Sequence, residues 1–165
     1  EQDVKTIVML TKLKEGTKGK CEPYFPAKLN ATIRFESIEV TPESQSERMG
    51  ALYAHAPKRR RSPAVWRVHI LQLIRLVQNV ENQLVLGRGG QQRIVTQFWY
   101  TSWPDHGVPP DGNNNSYTRE MILLVLTVRA HRKKVDNMAS PAIVHCSAGV
   151  GRTGAFIAID QAIDA

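Results

Sequence analysis

Cysteine is scarce in this chain: Cys21 and Cys146 are the only two among 165 residues. A disulfide-stapled secreted domain is normally smaller and denser in cysteine, so that class is excluded and a reducing, cytoplasmic setting fits better. Long apolar runs are also missing. The longest, MILLVLTV at 121–128, has eight residues, against the ~20 that a bilayer-crossing helix needs; no membrane contact by this segment is expected. The opening EQDVKTIVML is charged and then briefly apolar, without the shape of a secretory signal. Aromatic residues are 7% of the chain, and none is interleaved with the basic run KRRR at 58–61. Single-stranded nucleic acid would find no stacking platform there, and no nucleic-acid partner is expected. No His, Cys, Asp or Glu cluster has metal-ligand spacing, so neither a metal nor another cofactor is expected.

What is present is an ordinary globular composition, 42% hydrophobic and 22% charged, with a net charge of +7. That charge favours anionic partners without separating nucleic acid, membrane surface or phosphorylated substrate. The basic stretch APKRRRSP reads most simply as a solvated surface loop, with phosphate, RNA or a targeting receptor as the other readings. PPDGNNNS at 109–116 is a turn-rich linker.

Period-two and β-branched stretches predict strands at 6–13 (TIVMLTKL), 31–40 (ATIRFESIEV, with a bulge), 93–101 (RIVTQFWYT) and 140–146 (SPAIVHC). Between the first two, the glycines of KEGTKGK read as a loop. Helical spacing predicts helices over 62–80, over 116–134 with Ser116 as N-cap and Arg and Lys at its end, and from Gly149 through TGAFIAIDQAIDA. Strands interleaved with helices make an α/β domain. The chain opens at Glu1 and closes inside an apolar-periodic stretch, so a piece of a larger unit is expected.

Chemistry concentrates in VHCSAGVGRTG, residues 144–154. A strand, a loop of small residues and a helix form an anion site. The backbone N–H groups from Ser147 through Ala148, Gly149, Val150 and Gly151 to Arg152 can turn inward, and the helix adds unpaired donors and the positive end of its dipole. Arg152 supplies a planar, bidentate fork that matches phosphate oxygens. In that field Cys146 loses its proton readily and becomes nucleophilic. Thr153 can donate a hydrogen bond to the sulfur, and His145 orients the loop through backbone hydrogen bonds rather than serving as base. A nucleotide-binding P-loop would need a Gly-Lys-Ser/Thr ending, absent here. A cysteine protease would have no use for the arginine, and a buried structural cysteine would not explain the residues around it.

The stretch resembles the signature loop of the tyrosine-specific cysteine phosphatases, Cys-(five residues)-Arg-Ser/Thr. QFWYTSWPDHGVP at 97–109 resembles that family's mobile acid loop, and IVMLTKLKEGTKGKCEPYFP at 7–26 its glutamate-bearing segment. The resemblance implies the protein tyrosine phosphatase fold, a central twisted mixed β-sheet flanked by helices, present here as a fragment. Residues 1–165 would be a partial catalytic domain lacking N- and C-terminal parts. It also implies the activity, hydrolysis of phosphotyrosine in proteins through a cysteinyl-phosphate, and leaves open a receptor-type or a cytosolic parent. Asp105 matches the general acid, and its place in a Pro/Gly loop suits a segment that swings over substrate. Trp103 matches a hinge and packing anchor, and Pro104 limits the loop's conformations. Glu15 aligns with the glutamate that pairs with the signature arginine, and Lys20 with a nearby lysine.

Residues 47–86 find no counterpart in the resemblance and read as divergent or inserted: a lineage-specific insertion, an external helix or mistranslated intron. Phe25 stands for the usual tryptophan of a Tyr-Trp-Pro sequence and Trp99 where histidine is common; neither is expected to touch the chemistry. A second functional reading is a phosphotyrosine- or anion-binding domain of little or no turnover; the intact Asp105 favours the enzyme. Missing strands would leave sheet edges open, so residues 1–165 alone are expected to be weakly active or inactive.

Overall fold

The computed structural model describes residues 3–26, 28, 30–35, 38–46, 79–88, 91–104, 107–108 and 119–163. Strand β1 (Thr6–Met9) is followed by the two-residue strands β2 (Lys14–Glu15) and β3 (Lys18–Gly19), then β4 (Ile33–Phe35), β5 (Ile38–Ser46), β6 (Asn79–Arg88) and β7 (Gln91–Tyr100). Helix α1 (Arg119–Asp136), strand β8 (Ala142–His145) and helix α2 (Gly151–Ala162) follow, completing the order among the described residues. Six strands form one mixed sheet in the order β4-β5-β6-β7-β1-β8. Its β4 to β7 half is antiparallel, whereas β1 runs parallel to both β7 and β8.

The parallel half carries the chemistry, and its position follows from burial. On β7, Val95, Thr96, Gln97, Phe98 and Tyr100 are all buried, as befits a strand covered on both faces. Val8 and Leu10 join Phe98 and Tyr100 on one face, packed against Met121, Leu124, Val125 and Val128 of α1 and Phe156 of α2. Met9 faces the opposite way, with Phe25, Val40 and Leu84. Each such side chain taken from water contributes ~1.5–3 kcal/mol. The two helices are tied to each other where Arg129 Nη1 donates to the Asp160 backbone oxygen at 2.9 Å and to its carboxylate at 3.0 Å.

The mixed α/β architecture agrees with the sequence; several boundaries do not. The strand expected over 31–40 is a hairpin, with Phe35 opposite Ile38, and the register shift lies instead between Pro42 and Ser44. The KEGTKGK loop is a small hairpin in which Glu15 pairs with Lys18 and Gly16 takes a φ of 60°. The helix expected over 62–80 lies outside the described residues up to 78, and Asn79 and Val80 belong to β6. Their pairing with Tyr100 and Trp99 of β7 overrides the helical spacing of the preceding residues. Strand β1 stops at Met9 rather than residue 13. Helix α1 starts at Arg119 and runs to Asp136, with Lys133 and Lys134 in its last turn; Ser116 lies outside the described residues.

Candidate active site

Strand β8 delivers Cys146. The strand ends at His145, the Leu10 N–H donates to the His145 carbonyl at 2.8 Å, and the chain turns through residues 147–150 into α2. Gly149 takes a φ of 76° in that turn, a left-handed conformation costly for any residue with a Cβ. Val150 occupies the N-cap position and makes no side-chain cap. Where Ser, Thr, Asp or Asn would occupy the first N–H groups, valine leaves them to whatever enters the loop. The open cleft over this turn, about 630 Å³, is lined by Cys146, Ser147, Ala148, Gly151 and Arg152 on one side and by Lys20, Trp103 and Gly107 on the other. Val150 is 77% exposed and, like Gly149, is not among the residues that line the cleft.

The electrostatics favour the anionic sulfur. Burial raises the Cys146 pKa, but the Thr153 hydroxyl, the Thr153 and Gly149 N–H groups and the Arg152 charge together outweigh it, holding the thiol below its ordinary value. Thr153 Oγ1 is buried and meets no partner in good hydrogen-bonding geometry, while the hydroxyl still counts among the neighbours that lower the Cys146 pKa. Cys21, half-buried, behaves oppositely: burial and then the charge of Glu22 push its thiol up. Of these two thiols, only Cys146 is activated.

Arg152 is buried at the second position of α2. Its Nη1 donates to the Leu10 and Trp103 carbonyls, each at 3.1 Å, and reaches Glu15 Oε1 at 3.5 Å. Three separate segments thus meet on one guanidinium. Trp103 is buried, and its indole donates to the Gly107 carbonyl at 3.1 Å, closing a short loop that contains Pro104, which is exposed. Asp105, the expected acid, falls within that loop and outside the described residues. Cys146, Ser147, Ala148, Gly151, Arg152, Trp103 and Lys20 share the cleft; Glu15 joins through Arg152.

The sequence profile described as Protein-tyrosine phosphatase matches residues 1–165. The chain belongs to the protein-tyrosine phosphatase family. It is 33% identical over 165 residues to receptor-type tyrosine-protein phosphatase C of Mus musculus, covering 99% of this chain and 10% of that protein. Receptor-type tyrosine-protein phosphatase eta of the same organism is 35% identical over 168 residues, with the same two shares. Receptor-type tyrosine-protein phosphatase F of Rattus norvegicus is 31% identical over 166 residues, 99% of this chain and 7% of that one. The chain therefore spans a tenth or less of the length of these relatives. Among the described residues of this family member, no helix is long and apolar enough to cross a membrane.

Sequence reasoning passed over the groups behind His145. The Tyr24 hydroxyl lies 2.8 Å from His145 Nε2 and accepts from Gln97 Nε2 at 2.8 Å, while His145 Nδ1 sits 3.2 Å from the Cys146 carbonyl oxygen. Burial holds the Tyr24 hydroxyl in its protonated form far above the usual tyrosine range. One signal was available: Gln97 is a long amide in the middle of a β-branched and aromatic strand, and a buried polar side chain must find partners.

Proposed function

We propose that the chain carries out protein-tyrosine phosphatase chemistry, hydrolysing phosphotyrosine in proteins by two in-line displacements at Cys146. In the first, the thiolate attacks phosphorus, the bond to the tyrosine oxygen breaks, and Asp105 gives that oxygen its proton. In the second, Asp105 takes a proton from water, the resulting oxygen attacks the cysteinyl-phosphate, and inorganic phosphate leaves as the thiolate is restored. Throughout, Arg152 and the N–H groups of residues 147–152 hold the three equatorial oxygens, where charge builds. Thr153 stabilises the departing sulfur in the second step, and Glu15 and the Leu10 carbonyl keep the guanidinium aimed.

The observation that supports this reading best is the lowered pKa of a buried cysteine, held by Thr153, Gly149 and Arg152 at the uncapped start of a helix. The partners are phosphotyrosine-bearing proteins, and the setting is the reducing cytoplasm, which keeps both thiols unpaired. No cofactor takes part in these steps. The test is hydrolysis of p-nitrophenyl phosphate by the full-length protein and by its Cys146→Ser variant, since residues 1–165 alone are expected to turn over weakly or not at all. Turnover that vanishes with the sulfur supports the enzyme. Binding of phosphotyrosine peptide without turnover assigns a binding domain instead.

A further inference from the structure

Beyond β1 the chain leaves the sheet ladder at Leu10 and Thr11, two residues without exposed surface. Their backbone groups are nonetheless taken up. The Leu10 N–H donates to His145 O, the Leu10 carbonyl receives Arg152 Nη1, and the Thr11 carbonyl receives Trp99 Nε1 at 2.8 Å. Trp99 sits on β7 opposite Met9, and its ring meets Phe25 edge-on, centroids 5.3 Å apart at 75°. The two aromatic departures from the family's usual residues are therefore in contact, and one of them brings a donor to the peptide next to the arginine's seat.

We infer that Trp99 is a positioning residue for Arg152: its indole N–H fixes the Thr11 carbonyl and with it the adjoining Leu10 carbonyl on which the guanidinium rests. The inference rests on the phosphate-binding role proposed for Arg152. The link is short. The Leu10 and Thr11 carbonyls belong to adjacent planar peptide units joined at the Thr11 Cα. A reorientation of the Thr11 carbonyl therefore reaches the Leu10 carbonyl through the two backbone dihedrals of Thr11, a residue with no exposed surface. A buried carbonyl that loses its donor seeks another by moving. Leu10 is also bonded to His145 beside the nucleophile, so such a movement reaches both halves of the cradle. This role departs from the expectation that Trp99 leaves the chemistry untouched.

The experiment measures how well inorganic phosphate protects Cys146 from iodoacetamide in the full chain, with alkylation at residue 146 read by mass spectrometry well below the unfolding temperature. Trp99→Phe keeps an aromatic ring and removes the donor; phosphate protection is expected to weaken about fivefold, the loss of one hydrogen bond. Replacing Trp99 with 3-benzothienylalanine, which exchanges only the indole N–H for sulfur, is expected to do the same and covers the case in which the phenylalanine variant does not fold. In an Arg152→Lys background the same replacements should change the constant less than twofold, because the seat no longer holds a fork. Unchanged protection in the benzothienyl variant, or an equal loss with and without Arg152, overturns the inference while leaving the functional reading intact. Absence of protection in the unaltered chain overturns that reading, and the role of Trp99 with it.

Discussion

Replacing Tyr24 with phenylalanine removes one oxygen atom and nothing else, but that atom binds three segments together. The hydroxyl accepts from the Gln97 amide, lies 2.8 Å from His145 Nε2, and contacts the Met9 sulfur at 3.6 Å. Gln97 has no exposed surface, so water cannot take the vacated place. The variant loses a net hydrogen bond of ~1 kcal/mol. It leaves the Gln97 amide nitrogen with the Met9 sulfur, 3.7 Å away, in place of the hydroxyl. That loss sits at the low end of the ~1–3 kcal/mol for a buried donor, about 1 kcal/mol. A total of ~2 kcal/mol lowers Tm by about 4–8 °C in a chain of this size. Thermal unfolding followed by far-ultraviolet circular dichroism reads it. Because burial keeps the hydroxyl protonated, the deficit should not grow as pH rises from 7 to 9. Adding Gln97→Leu removes that donor, and the double variant should recover part of the loss. A Tyr24→Phe chain with unchanged Tm, or a double variant that simply sums two losses, would refute the account of this network.

Thr153→Val should move the pH profile of Cys146 alkylation to higher pH, because the hydroxyl is the largest of the influences that lower the thiol's pKa; an unmoved profile contradicts that cause. Gly149→Ala places a Cβ at a φ of 76° and should cost ~1–2 kcal/mol of stability, whereas at Gly151 an added Cβ meets nothing within 4 Å and alanine should cost under ~0.5 kcal/mol. Denaturant titrations compare the two directly. His131 has its pKa lowered by burial and then by Lys134. The unfolded chain therefore binds that proton more readily, so the stability it confers is present above pH ~6.5 and drains away as pH falls below that. His131→Gln should flatten the decline in Tm between pH 7 and pH 5; a slope identical to the parent's would show that other groups carry it.

The loop that lines the candidate cleft was legible because its chemistry is local, whereas the expected acid Asp105 lies outside the described residues. Cys146, Gly149, Arg152 and Thr153 fall within eight consecutive residues, and a strand, a tight turn and a helix N-terminus can be read from such a stretch without knowing the rest. The supports were not, because they come from far away. Tyr24 and Gln97 are separated from His145 by over forty residues, and only strand order brings them to it. The same distinction governs the fold. Strands β7 and β8 announce themselves by β-branched residues, whereas Asn79, Val80 and Glu81 at the start of β6 carry no strand signal of their own. They are strand because β7 pairs with all three, and β5 with Glu81 as well. The hairpin of β4 and β5 was misread for a related reason, since two short alternating runs with a break between them look alike whether the chain bulges or reverses.

The convergence on Arg152 Nη1 makes the anion seat depend on parts of the chain far apart in sequence. Its acceptors lie 142, 137 and 49 residues away along the chain. The fork is held only where β1, the β2 turn and the loop at Trp103 all pack against α2, so a local opening of any one of them loosens the anion seat. Thr153 and Gly149, which neighbour Cys146 in sequence, go on lowering the pKa of its thiol.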